Sequence, residues 1–202
     1  MSVDTPDRDA APLQQLLDAI RSCRLCERDL PRGARPVVQA GSGARLAVIS
    51  QAPSSRVHAT GIPWDDDSGE RLRGWLGLDR EIFFDASRVA LVPMGFCYPG
   101  KASGGDSPPR RECAPLWHAP LLDALPDLRL TLLVGGYAQR AYLPPALRRT
   151  MTQAVRGIDA MPDGVIALPH PAWRSRLWMA KHPWFESDVL PVLRRRVAAA
   201  LG

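Results

Sequence analysis

Apolar and polar positions along this chain sort into two alternating kinds of segment. Short unbroken apolar runs stand at Arg45–Ser50, Arg88–Val92, Leu128–Val134 and Gly164–Leu168. Runs this short, bounded by turn residues, predict strands buried on both faces. Between them lie segments with apolar residues at helical spacing. Pro12–Asp29 places Leu13, Leu16, Leu17 and Ile20 on one face, and Ser68–Leu76, Arg111–Leu125 and Gly136–Leu147 follow. A last helix is predicted over Pro183–Leu201, with Val189, Leu193, Val197 and Leu201 aligned and Pro191 placed to kink it. Residues 1–11 read as a disordered polar tail, and Lys101–Pro109 as a Gly/Ser/Pro-rich loop. There is no internal repeat. The alternation predicts an α/β fold, a three-layer αβα sandwich around a central, mostly parallel four-stranded sheet, as a single domain over residues 12–202. Such sheets bind ligands beyond the carboxyl ends of their strands. That rule places the site at Gln51-Ala52-Pro53, Pro93–Cys97, Gly135–Tyr137 and Pro169-His170-Pro171.

Composition narrows the partners. The 202 residues are 46% hydrophobic and 23% charged, ordinary values for a globular protein. No run of eighteen apolar residues exists, which excludes a membrane span, and the polar start carries no secretory core, so a cytoplasmic location is expected. The net charge is +5, and Lys101 and Lys181 are the only lysines. Arginine forks match phosphate oxygens, so an anionic partner such as DNA is expected.

The four cysteines are the sharpest chemical signal. Cys23 and Cys26 form C-x2-C, which brings two thiolates to one metal from a single turn, and Cys97 and Cys113 close a four-sulfur shell suited to zinc or an iron–sulfur cluster. Ordinary buried thiols or disulfides are the alternative. A cysteine count this low in a chain without a secretory signal argues against a disulfide scaffold.

Three segments together resemble the uracil-DNA glycosylase superfamily, nearest its iron–sulfur branch. The branch carries the cysteine spacing of Cys23, Cys26, Cys97 and Cys113. Its first motif, G-E-A-P-G, is similar to Ser50-Gln51-Ala52-Pro53-Ser54, followed at the same gap by Gly61-Ile62-Pro63-Trp64 and Ser68-Gly69. Its second motif, H-P-[AS], stands here as His170-Pro171-Ala172. The resemblance runs from about Leu13 to the end of the chain.

The resemblance implies a DNA repair hydrolase that flips a deaminated base, uracil foremost, out of DNA and hydrolyses its N-glycosidic bond. It implies that His170 stabilises the charge developing on the departing base, with Gln51 as the other catalytic residue. Ala52, Pro53, Ser54, Trp64 and Gly95 would contact the base, Trp64 by stacking in place of the family's Phe. Trp173, Arg174 and Arg176 would enter the minor groove, an apolar wedge flanked by arginines. The four cysteines would hold a 4Fe-4S cluster, with structural zinc as the alternative. DNA containing a damaged base would be the partner, with a monomer expected, no protein partner implied and no membrane.

The chain also departs from the family pattern. Gln51 replaces the carboxylate or Asn that positions water, and an amide is no general base. Ser50 and Ser54 replace bare glycines. Pro93 stands where an Asn would read the uracil edge. His58 or one of Asp65, Asp66 and Asp67 is a conceivable replacement for the water-positioning group, although the acidic run also suits a helix N-terminus. Arg110 and Arg111 are placed to meet phosphates. Two further readings follow from these departures: a DNA- or lesion-binding homologue with little excision, and a glycosylase for another deaminated base.

Overall fold

The computed structural model describes residues 10–148, 150–173 and 175–202. In chain order its elements are α1 (Ala10–Ser22), β1 (Leu46–Ser50), α2 (Ser55–Thr60), α3 (Asp67–Leu76), α4 (Arg80–Phe84) and β2 (Val89–Pro93). Next come β3 (Lys101–Ala102), β4 (Gly105–Asp106), α5 (Cys113–Asp123), β5 (Leu130–Val134), α6 (Gly136–Tyr142) and α7 (Met151–Arg156). The chain ends with β6 (Val165–Leu168), α8 (Ser175–Lys181) and α9 (Leu190–Leu201).

The four apolar runs form one sheet in the order β2-β1-β5-β6. Every pairing in it is parallel, so the expectation of a mostly parallel sheet is met in full. Side chains alternate across it, as the strand repeat requires. Leu46, Val48, Leu91, Leu132 and Ile166 face α3 and α9, where they meet Leu72, Trp75 and Leu193. Ala47, Ala90 and Val92 face α1 and α5, where Leu13, Leu17, Ile20 and Leu121 cover them. Ile49, Leu133 and Ala167 meet Ala138 of α6 and Ala154 of α7. The result is the predicted αβα sandwich. Each fully buried Leu, Ile, Val or Phe contributes about 1.5–3 kcal/mol against exposure, and that burial fixes the frame on which the strand ends sit.

Four local differences from the sequence reading have physical causes. The first helix ends at Ser22, not Asp29: Cys23 N bonds Ile20 O at 3.1 Å and Ser22 Oγ bonds Ala19 O at 3.1 Å, a tightened last turn. The final helix is split. Phe185–Val189 forms one π-helical turn, and Pro191 then falls in the first turn of α9, where its missing N–H is harmless. Lys101–Asp106 is a short antiparallel hairpin rather than a loop. The helices α2, α4, α7 and α8 are too short to show a repeat. Three of them nonetheless carry readable caps, at Ser54, Asp79 and the Thr150–Gln153 capping box. The tail expected over residues 1–11 lies, up to residue 9, outside the described residues, and Ala10 and Ala11 belong to α1.

Candidate active site

A cleft of about 1510 Å³ opens at the carboxyl ends of the strands. Its walls include the loop after β1, the segment leading into α3, the β3–β4 hairpin and the loop after β6. Of the predicted site residues, Gln51, Ala52, Pro53, Ser54, Trp64, His170, Trp173 and Arg176 all line it.

The loop after β1 is fixed by its neighbour strand. Ser50 O accepts from Met94 N at 2.7 Å, and Gln51 O accepts from Gly95 N at 3.1 Å. The Gln51 amide reaches Ser107 O beyond the hairpin at 3.5 Å, the long limit of a hydrogen bond. Ser54 does more than crowd the cleft. Its Oγ accepts from Val57 N at 3.3 Å, capping α2, and donates to Asp66 Oδ2 at 2.6 Å. The other carboxylate oxygen, Asp66 Oδ1, accepts from Gly69 N at 3.0 Å and caps α3. Two helix caps are thus one hydrogen-bonded unit on the cleft wall. Asp65 and Asp67 point elsewhere, to Arg80 at 3.2 Å and Arg56 at 3.8 Å.

Trp64 has φ 59°, the only positive value among described residues other than glycine. Left-handed backbone at a side chain this bulky is strained by about 1–2 kcal/mol. Gly69 makes room for it: a Cβ there would stand 1.8 Å from Trp64 O. The indole is 9% exposed and stacks on the His170 ring, with centroids 5.6 Å apart and planes 23° apart. Burial lowers the His170 pKa below its ordinary value, while the Asp66 charge pushes the other way. The imidazole is therefore neutral at pH 7, with one nitrogen donating and one accepting. Gly135 lets it sit close, since a Cβ there would lie 3.3 Å from His170 Cβ. Arg71 Nη1, from α3, donates to Pro171 O at 2.6 Å and holds the loop. Arg71 was not singled out in the sequence. A basic residue on a helix face carries no local signal for a carbonyl 100 positions away.

Trp173 is 66% exposed at the rim, and Leu177 of α8 is equally exposed nearby in sequence. Arg174 lies outside the described residues. Gly95 is not on the cleft wall: a Cβ there would meet Pro109 Cβ at 3.0 Å and Arg110 N at 3.1 Å. His58 also lies off the wall, near the Tyr98 ring at 6.1 Å. Buried His118, missed in the sequence, bridges Pro93 O at 3.0 Å and Tyr142 OH at 2.6 Å, pinning the end of β2.

The four cysteines are free thiols, and Cys26, Cys97 and Cys113 are buried. Each of these three feels the charge of others in the set, including Cys23. Burial pushes the Cys97 thiol up to about 11, partly offset by a hydrogen bond from the Arg35 backbone. Among the described residues no three His, Cys, Asp or Glu side chains are close enough to hold one metal ion. Arg110 is committed here rather than free for phosphates, bonded to Glu112 at 2.6 Å and Asp29 at 2.9 Å and hydrogen-bonded to Cys26. Arg111 is exposed.

Among the described residues no helix is long and apolar enough to cross a membrane. Residues 38–194 match the sequence profile of the Uracil DNA glycosylase superfamily, and the chain belongs to that superfamily. Its members are DNA glycosylases, hydrolases that act on DNA containing damaged bases.

Proposed function

We propose that this superfamily member excises uracil from DNA, using His170 and a water held by Gln51 and Asp66, and that it belongs to the iron–sulfur branch. The observation that carries the reading is the stack of Trp64 on a neutral, half-buried His170 in the strand-end cleft. A flipped base needs an aromatic face and a donor for the oxygen that becomes negative as the glycosidic bond breaks. Trp64 supplies the face. The neutral imidazole donates to uracil O2 without having to lose a charge.

The missing carboxylate is replaced from the next segment. Asp66 lines the cleft, and the Ser54 hydroxyl fixes one of its oxygens. A carboxylate there orients water, accepts its proton and stabilises the positive sugar left when the base departs. The Gln51 amide adds a second contact for the water. The exposed Trp173 ring, with Arg174 and Arg176, fills the gap in the minor groove and meets phosphates.

The cysteine spacing is the ground for a 4Fe-4S cluster, with structural zinc as the alternative. Buried thiols raised by desolvation are also the donors that gain most from a cation. The group would tie the end of α1 to the loop after β2 and to the start of α5.

The direct test is an excision assay on a duplex with one uracil opposite guanine, protein in excess, abasic sites revealed by alkali. Cleavage is expected. No cleavage by protein with its cysteine site loaded would contradict the reading and leave the binding homologue, or a glycosylase for another deaminated base.

A further inference from the structure

We propose that Asp106 reads the lactam N–H of the flipped base, supplying the edge contact that Pro93 cannot make. The inference rests on the glycosylase reading above and names the chemistry that selects its substrates.

Asp106 ends the β3–β4 hairpin, and the whole turn from Lys101 to Asp106 lines the cleft. The register pairs Lys101 with Asp106 and Ala102 with Gly105, and Gly104 and Gly105 take φ of 90° and 156°, which permits so tight a turn. Ser107, the next residue, is tied at both ends: its N donates to Gly100 O at 2.8 Å, and its O accepts from the Gln51 amide at 3.5 Å. The hairpin base is therefore docked on the same loop that borders the base site.

Among the described residues nothing uses the Asp106 carboxylate as an acceptor. No hydrogen bond or ion pair to it occurs among the described residues, and Lys101 acts on it only as a nearby charge. Desolvation raises its pKa, Lys101 opposes this, and Asp66 adds to it. The Asp106 side chain is exposed on the cleft wall, and a carboxylate without a donor of its own is open to a ligand N–H there.

The chemistry then selects the ligand. Deamination of cytosine turns ring N3 from an acceptor into an N–H donor, and deamination of adenine does the same at N1. A carboxylate accepts from that N–H and repels the acceptor nitrogen of the parent base. An Asn amide can turn over and serve either base, whereas an ionised carboxylate cannot. The end of β2 offers no substitute, since Pro93 has no side-chain amide and its carbonyl is engaged by His118 at 3.0 Å.

The test is binding to a duplex carrying 2′-fluoro-2′-deoxyuridine, which resists excision, opposite an abasic spacer, against the same duplex methylated at uracil N3. The wild type should bind the unmethylated probe about tenfold more tightly or better, the size of one charge-assisted hydrogen bond that the methylated probe cannot make. Asp106→Asn should keep most of that ratio, because its amide oxygen still accepts. Asp106→Ala should bind both probes equally. The proposal is overturned if Asp106→Ala keeps the wild-type ratio, if Asp106→Asn loses it as Ala does, or if the wild type shows no preference. Wild-type excision of plain uracil, scored separately, decides the glycosylase reading. A lost excision with an intact binding ratio would sink that reading alone.

Discussion

The Ser54 hydroxyl donates to the Asp66 carboxylate at 2.6 Å, and each of these residues caps a different helix at the cleft wall. Ser54 belongs to the segment in which the family's carboxylate and glycines are replaced, and Asp66 to the segment that follows it. Stability and chemistry therefore meet at Asp66. Asp66→Ala removes the α3 cap and leaves the Ser54 hydroxyl without its acceptor, and should cost about 2 kcal/mol in urea denaturation. Asp66→Asn keeps a cap oxygen but loses the charge. It should be nearly as stable as wild type and excise about 100-fold more slowly in single-turnover assays. Full activity in the Asn variant would remove Asp66 from the water-positioning role.

Gly69→Ala tests the support under Trp64. The added methyl would stand 1.8 Å from Trp64 O, against backbone rather than a yielding side chain. The expected loss is about 3 kcal/mol, with Trp64 displaced from its stack on His170. Thermal unfolding measures the first effect, and Trp64 fluorescence in an otherwise tryptophan-poor variant the second. A variant as stable as wild type would contradict this geometry.

Two histidines set an acid limit on stability. Burial lowers the pKa of His118 and of His170 below the ordinary 6.5. The folded state keeps both neutral, while the unfolded chain protonates them below that value. The unfolded state then binds more protons, so stability is whole above about pH 6.5 and falls as pH drops below it. Urea midpoints between pH 7.5 and 5.5 check this. A midpoint that stays flat or rises toward pH 5.5 would count against two imidazoles held neutral by the fold.

Cys97 is the most telling of the four proposed cluster cysteines to remove. Protein purified without oxygen, or reconstituted with iron and sulfide, should be brown with broad absorption near the violet. Cys97→Ser should lose that colour and the iron bound per chain. Colourless wild-type protein carrying one zinc would replace the cluster with the tetrahedral alternative.

The sheet was legible in the chain because its strands are buried on both faces and read as unbroken apolar runs, each within two residues of its final bounds at either end. Strand-end topology and the motif residues then located His170, Trp64 and the Ser54 loop. What was not legible lies in long-range pairing. The acidic run Asp65–Asp67 gives no sign that its middle member alone turns to Ser54. Arg71 reaching Pro171 O, and His118 reaching Pro93 O, depend on packing that local spacing does not encode. The hairpin carrying Asp106 is two residues a side and too short for any alternation to appear.

The role proposed for His170 is to stabilise the departing base. It is tested most directly by single-turnover excision of uracil from a uracil–guanine duplex, wild type against His170→Ala, with duplex affinity measured in parallel. The expected result is clean excision by the wild type and a loss of about 100- to 1,000-fold in the variant, the size of one removed transition-state donor, with affinity nearly unchanged. Excision that survives in His170→Ala, or a loss accounted for by weaker duplex binding, would contradict it.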